Sequence, residues 1–204
     1  MVALYAILLS LLFVIIGYSF GSILFAPLVG KKFLNIDIRS SGSKNPGSTN
    51  LTRVSKSKKW GILTTCLDCL KGYVAIVLCT LIYFLINRYA FLGTMDFAYI
   101  VYLAGFFAIV GHCYPIQYFC ALAKYKTINE QVKEKSGGKG VAATGGLAFA
   151  FNPWLGFLCI LTWLIVLKIT KYVSISSMIG TFCMALFVLI PGIHNLTYIY
   201  QWAS

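Results

Sequence analysis

VALYAILLSLLFVIIGYSFGSILFAPLV, residues 2–29, runs without one charged side chain. A helix rising ~1.5 Å per residue needs about 20 mostly apolar residues to cross the ~30 Å hydrocarbon of a bilayer, and this stretch is long enough. Only a helix or a closed barrel satisfies its own backbone hydrogen bonds in lipid, and an unbroken apolar run of this length reads as a helix. No basic residue precedes it and no A-x-A cleavage site is evident, so it is expected to remain as a membrane helix.

Further apolar stretches at 60–86, 97–117, 141–167 and 173–191 bring the spanning candidates to five. The fourth contains Gly145, Gly146 and the pair Asn152–Pro153. Proline removes a helix hydrogen bond and clashes with the preceding turn, so that stretch divides into two shorter pieces and six or seven rods become possible. The expected fold is all-α: a polytopic integral membrane helical bundle of five to seven transmembrane helices in one domain, 1–204. Composition agrees, because 59% of the residues are hydrophobic and only 11% charged, against roughly a quarter charged in soluble domains.

Seventeen Lys and Arg against five Asp and Glu give a net charge of +12. Hydropathy makes nucleic acid an unsuitable partner and leaves an anionic membrane surface or a phosphorylated substrate. The basic residues concentrate in 31–59 (Lys31, Lys32, Arg39, Lys44, Arg53, Lys56, Lys58, Lys59) and in 118–140 (Lys124, Lys126, Lys133, Lys135, Lys139). Loops rich in Lys and Arg stay on the cytoplasmic side, so both segments are expected inside and the N-terminus outside, which leaves Lys168 and Lys171 external. The cysteines at 66, 69, 79, 113, 120, 159 and 183 lie in or beside apolar runs and suggest no disulfide framework. Cys66 and Cys69 have C-x-x-C spacing without a second pair or a placed His, so no metal is expected.

Polar chemistry gathers in a few short segments. Residues 36–53 read IDIRSSGSKNPGSTNLTR. Gly42, Pro46 and Gly47 force turns, while Ser43, Asn45, Ser48, Thr49 and Asn50 crowd donors between Arg39 and Arg53. Glycine lets backbone approach a ligand and arginine matches phosphate oxygens in pairs, so the segment reads as an oxyanion cradle. Residues 136–146, SGGKGVAATGG, place Gly137, Gly138, Lys139 and Gly140 before a helix N-terminus, a setting attractive to anions. Lys139 is followed by Gly140, so this is not a Walker motif. Gly145, Gly146 and Ala148 read instead as small helix-packing residues.

Asp68 and Lys71 share a helix face three residues apart in an apolar run. They fit an ion pair that orients the helix or a direct role toward substrate. His112, in GHCYP, could act as a general base, although a lone histidine at a helix end is more often structural. His194 and Asn195 close the last stretch on the same expected side.

The motifs together resemble the membrane-embedded, acyl-phosphate-dependent glycerol-3-phosphate acyltransferases of bacterial phospholipid synthesis, the PlsY family. GSKNPGSTNLTR at 42–53 resembles the family's G-S-G-N-x-G-x-T-N-x-x-R, with Lys44 in place of a glycine. GHCYP and GGKGVAAT resemble G-H-x-x-P and K-G-G-K-G-V-A-T, with Ser136 in place of the first lysine. DCLKG at 68–72 is similar to another family element, whereas the end after His194 and Asn195 lacks the family's acid and arginines.

The resemblance implies seven membrane helices, a cell-membrane location and an active site facing the cytoplasm. It implies transfer of a fatty acyl group from acyl phosphate to the 1-hydroxyl of glycerol 3-phosphate, with no cofactor. Ser43, Arg53, Lys139 and His194 are the expected catalytic residues. Asn45, Gly47, Thr49, Asn50, Asp68, Lys71, His112, Gly137, Gly138, Gly140 and Asn195 are expected to bind substrate. A phosphate-like anion transporter or channel is the alternative, since broken helices and cationic loops also suit that task.

Overall fold

The computed structural model of the chain describes residues 2–89 and 98–189, so His194 and Asn195 lie outside the described residues. Every regular element among the described residues is helical. In chain order these are α1 (Val2–Gly21), α2 (Phe25–Leu34), α3 (Ser48–Ser55), α4 (Lys58–Tyr89), α5 (Tyr102–Cys113), α6 (Ile116–Tyr125), α7 (Glu130–Lys133), α8 (Val141–Phe151), α9 (Pro153–Thr170) and α10 (Val173–Val188), with a 3-10 turn at Ala98–Val101.

α1 shows how the bundle sorts its faces. Leu4, Ile7, Leu8, Leu11 and Ile15 are exposed on one side, as a lipid-facing surface requires. Leu9, Phe13, Gly17 and Gly21, four residues apart, are buried on the other. Lipid tails are as apolar as leucine, so the inward face gains its stability from close packing rather than from leaving water. A Cβ on Gly17 would fall 2.1 Å from the Ala104 carbonyl oxygen, and one on Gly21 would fall 2.2 Å from that of Ala108. α1 and α5 therefore meet backbone to backbone. Around this contact Phe13, Ala75, Ile76, Cys79, Tyr83 and Val101 fill the main core.

α8 packs on α4 in the same way: a Cβ on Gly146 would lie 2.0 Å from the Cys69 carbonyl oxygen. Ala148 is buried as well, while Gly145 has only Cys69 Sγ nearby, at 3.8 Å, and room for a methyl group. Asn152 and Pro153 break the fourth apolar stretch as expected. Asn152 Oδ1 accepts from the N–H groups of Trp154 (2.8 Å) and Leu155 (3.4 Å), and Pro153 occupies the first turn of α9, where its missing N–H is not needed. Eleven residues make α8 roughly 16 Å long, about half the hydrocarbon thickness.

Several boundaries differ from the expectation. The 2–29 stretch opens at residues 22–24 into α1 and α2, and α2 continues through Lys31 and Lys32 to Leu34. The 97–117 stretch bends by 54° between Cys113 and Ile116, where Pro115 interrupts the ladder. The 118–140 connection is partly helical, holding the rest of α6 and all of α7. Among the described residues, Ala3–Leu34, Lys58–Asn87 and Pro153–Thr170 are long and apolar enough to span, and the bent α5–α6 pair can form a fourth crossing.

Candidate active site

The 36–53 segment folds around one side chain. Asn50, almost fully buried, donates from Nδ2 to the carbonyls of Ile38 (2.9 Å) and Ser41 (3.0 Å) and accepts at Oδ1 from the Ser43 N–H (2.9 Å). Three bonds from one amide fix the turn that carries Ser43, Lys44 and Asn45, and leave Asn50 inside rather than facing a ligand. Lys44 sits at φ 58°, the left-handed region that favours glycine. Gly47 then caps α3, whose first turn holds Thr49 and whose last holds Arg53.

Next to this segment lies a buried charged cluster. Asp68 and Lys71 lie one turn apart on α4 with Nζ 3.0 Å from Oδ1, and His112 at the end of α5 approaches both. Lys71 Nζ donates to the carbonyls of Gly21 (2.9 Å) and Ile23 (2.6 Å) and lies 2.8 Å from His112 Nδ1, so it is surrounded by partners on every side. The ammonium thereby satisfies carbonyls left over at the end of α1 and fixes the α1–α2 opening. The Nε2 edge of the His112 ring is the one against which Gly138 packs; a Cβ on Gly138 would lie 2.2 Å from Nε2.

The glycine loop is clasped to α5 through its backbone. Gly137 N–H donates to the Cys113 carbonyl (2.8 Å) and Gly138 N–H to the His112 carbonyl (3.0 Å). A Cβ on Gly137 would meet the His112 carbonyl oxygen at 1.7 Å, so only glycine fits. These N–H groups are committed to the protein. The N–H groups of Lys139 and Gly140, by contrast, make no hydrogen bond with the described residues. Gly140 turns the chain at φ 78° into the N-terminus of α8. Arg39 joins the two loops: its Nη1 donates to the carbonyls of Glu134 and Ser136, the latter at 2.9 Å. Burial pulls the guanidinium below its ordinary value and neighbouring Asp37 pulls it back up. In the sequence Arg39 is only a flank of the cradle, because nothing local reveals a contact 97 residues away.

Among the described residues, the Ser43 hydroxyl, the Asn45 amide, the Thr49 hydroxyl, the Arg53 guanidinium and the Lys139 ammonium make no hydrogen bond or ion pair. Ser43, Thr49, Arg53 and Lys139 are exposed and Asn45 is half-buried. The end of the bundle that holds the Asp68–Lys71–His112 cluster therefore carries a rim of unengaged donors on the two loops joined by Arg39 and on α3. Such a rim suits a ligand rich in oxygen acceptors.

The sequence profile of the glycerol-3-phosphate acyltransferase family matches residues 11–203. The chain belongs to that family. A glycerol-3-phosphate acyltransferase of Malacoplasma penetrans is 41% identical over 194 residues, 94% of this chain and 69% of the relative. One from Mycoplasma pneumoniae is 40% identical over 194 residues, 94% of this chain and 74% of the relative. The fold matches the crystal structure of PlsY (YgiH), an integral membrane glycerol 3-phosphate acyltransferase, in its glycerol 3-phosphate form, with a TM-score of 0.67 and 28% identity over 95% of this chain and 82% of that one. The lysophosphatidic acid form gives 0.66 and 28% over 95% and 83%. Membership in this acyltransferase family decides between the two readings of the sequence, against the transporter, and the chain is a multi-pass membrane protein.

Proposed function

We propose that the chain moves a fatty acyl group from acyl phosphate to the 1-hydroxyl of glycerol 3-phosphate, releasing lysophosphatidic acid and inorganic phosphate at the cytoplasmic face. The observation that carries this is the rim: Ser43, Asn45, Thr49, Arg53 and Lys139 have no protein partner among the described residues. Both substrates present phosphate, and cations with paired donors are the groups that bind it. The α3 and α8 N-termini add oriented N–H groups and the positive ends of two helix dipoles.

Acyl phosphate is already activated, so alignment and charge stabilisation are the main requirements. The glycerol oxygen forms an ester bond to the acyl carbon as the carbon–oxygen bond to phosphate breaks. The hydroxyl proton leaves to a phosphate oxygen or to His194, and phosphate departs with the electron pair. Arg53, Lys139 and Ser43 hold the developing negative charge. Asp68, Lys71 and His112 act from beneath by fixing the loops. The test is to give the purified protein glycerol 3-phosphate with acyl phosphate or with acyl-CoA and look for lysophosphatidic acid. Product from acyl phosphate alone is expected; product from acyl-CoA alone, or none, overturns the proposal.

A further inference from the structure

We infer that Arg39 is a positioning residue that latches the glycine loop to the Ser/Asn loop, so that Lys139 and the free N–H groups after it are held where the substrate phosphates bind. This rests on the proposed reading of the rim, and it gives a role to a side chain that the motif reading leaves aside. Arg39 is half-buried, and its Nη1 satisfies two carbonyls, Glu134 and Ser136, that end the 130–136 segment. One residue further on, Gly137 and Gly138 dock on Cys113 and His112. The guanidinium thus secures the loop immediately before its clasp, and Lys139 follows immediately after it.

On the other side Arg39 is anchored by its own segment. Its N–H donates to Asp37 Oδ1 (2.9 Å), and the next turn is fixed by Asn50 through Ile38 and Ser41. A change at Arg39 therefore separates two loops that each keep their internal fold. Arginine suits this position because its planar N–H groups reach two acceptors at once without rotamer rearrangement. A misplacement of about 1 Å in groups that orient substrate can cost on the order of 100-fold in rate.

The experiment compares full-length wild type, Arg39→Ala, Arg39→Gln, Arg39→Lys and Arg53→Ala in detergent, by amide hydrogen exchange and by acyl transfer. In Arg39→Ala and Arg39→Gln the peptide covering Gly137 and Gly138 is expected to exchange at least ~10-fold faster, with kcat/KM lower on the order of 100-fold and exchange around Lys71 unchanged. Arg53→Ala is expected to lose activity with wild-type exchange. Arg39→Lys, which keeps a donor cation but not the planar fork, is expected to recover part of the protection and part of the activity together.

Unchanged exchange in both Arg39→Ala and Arg39→Gln overturns the latch whatever their activity. Faster exchange with full activity, or recovery of only one property in Arg39→Lys, overturns the positioning role. If Arg39→Ala does not fold, Arg39→Gln and Arg39→Lys carry the same decision. A wild-type protein inactive with acyl phosphate counts against the proposed reaction and leaves the exchange comparison to judge the latch.

Discussion

Lys71 and Lys139 carry the same side chain at the same end of the bundle. Lys71 gives protons to the carbonyls of Gly21 and Ile23 and lies against His112 Nδ1 and Asp68. Lys139 gives none to the described residues and stays exposed. The contrast extends to their neighbours, with Asn50 fully engaged inside and Ser43, Thr49 and Arg53 unengaged outside. Burial without partners is costly, so the interior set is closed, whereas exposed donors carry no such cost and can stay open. Engaged and unengaged donors are thus divided between two layers of one polar region.

That division can be broken from either side. The largest effect is expected from Lys71→Met, which leaves Asp68 beneath the surface with only His112 beside it; removing one partner of a buried pair costs about 3–5 kcal/mol, so the folded protein should be lost or melt far lower in a thermal scan. Arg53→Ala and Lys139→Ala should each lower acyl transfer by about 10²–10³-fold while the melting temperature stays near wild type. A collapse in stability there would place them in the inner layer.

Smaller effects sharpen the boundary. Asn50→Ala removes three loop bonds and strands the Ile38 carbonyl and the Ser43 N–H, while Ser41 keeps the Lys44 N–H, so a loss of about 1–3 kcal/mol is expected in denaturation, with activity falling as a consequence. Lys44→Gly should stabilise slightly, by roughly 0.5 kcal/mol, because relief of a left-handed lysine at ~1–2 kcal/mol exceeds the entropy cost of glycine. A loss instead would mean that the lysine side chain contributes something its backbone position hides.

The apolar periods and the Asn152–Pro153 break were legible because the cause of each sits in the residues themselves. The unengaged rim residues belong to the 42–53 motif and the glycine loop, both dense in turn formers and donors, and that local density is what drew attention to them. The opening of the first stretch at 22–24 was not legible: no proline or charge lies there, and the break is fixed by Lys71 from 48 and 50 residues away. Arg39 escaped for the same reason, its acceptors being backbone carbonyls that no residue type announces. Gly137 and Gly138 were read as offering N–H groups outward, yet carbonyls of the GHCYP segment claim both, a pairing visible only once the chain is folded.

The α1–α5 contact ties the depth of the bilayer to its edge. Gly17 and Gly21 let two main chains touch, and α5 ends in the residues whose carbonyls carry the glycine loop. With no flexible side chain in between to absorb a shift, α5 has no slack. One added methyl group at Gly17, one turn before the Gly21 carbonyl that Lys71 holds, would drive α5 aside and drag the glycine loop with it. Loss of activity in such a variant would have its origin in a contact between two main chains rather than in any exposed donor.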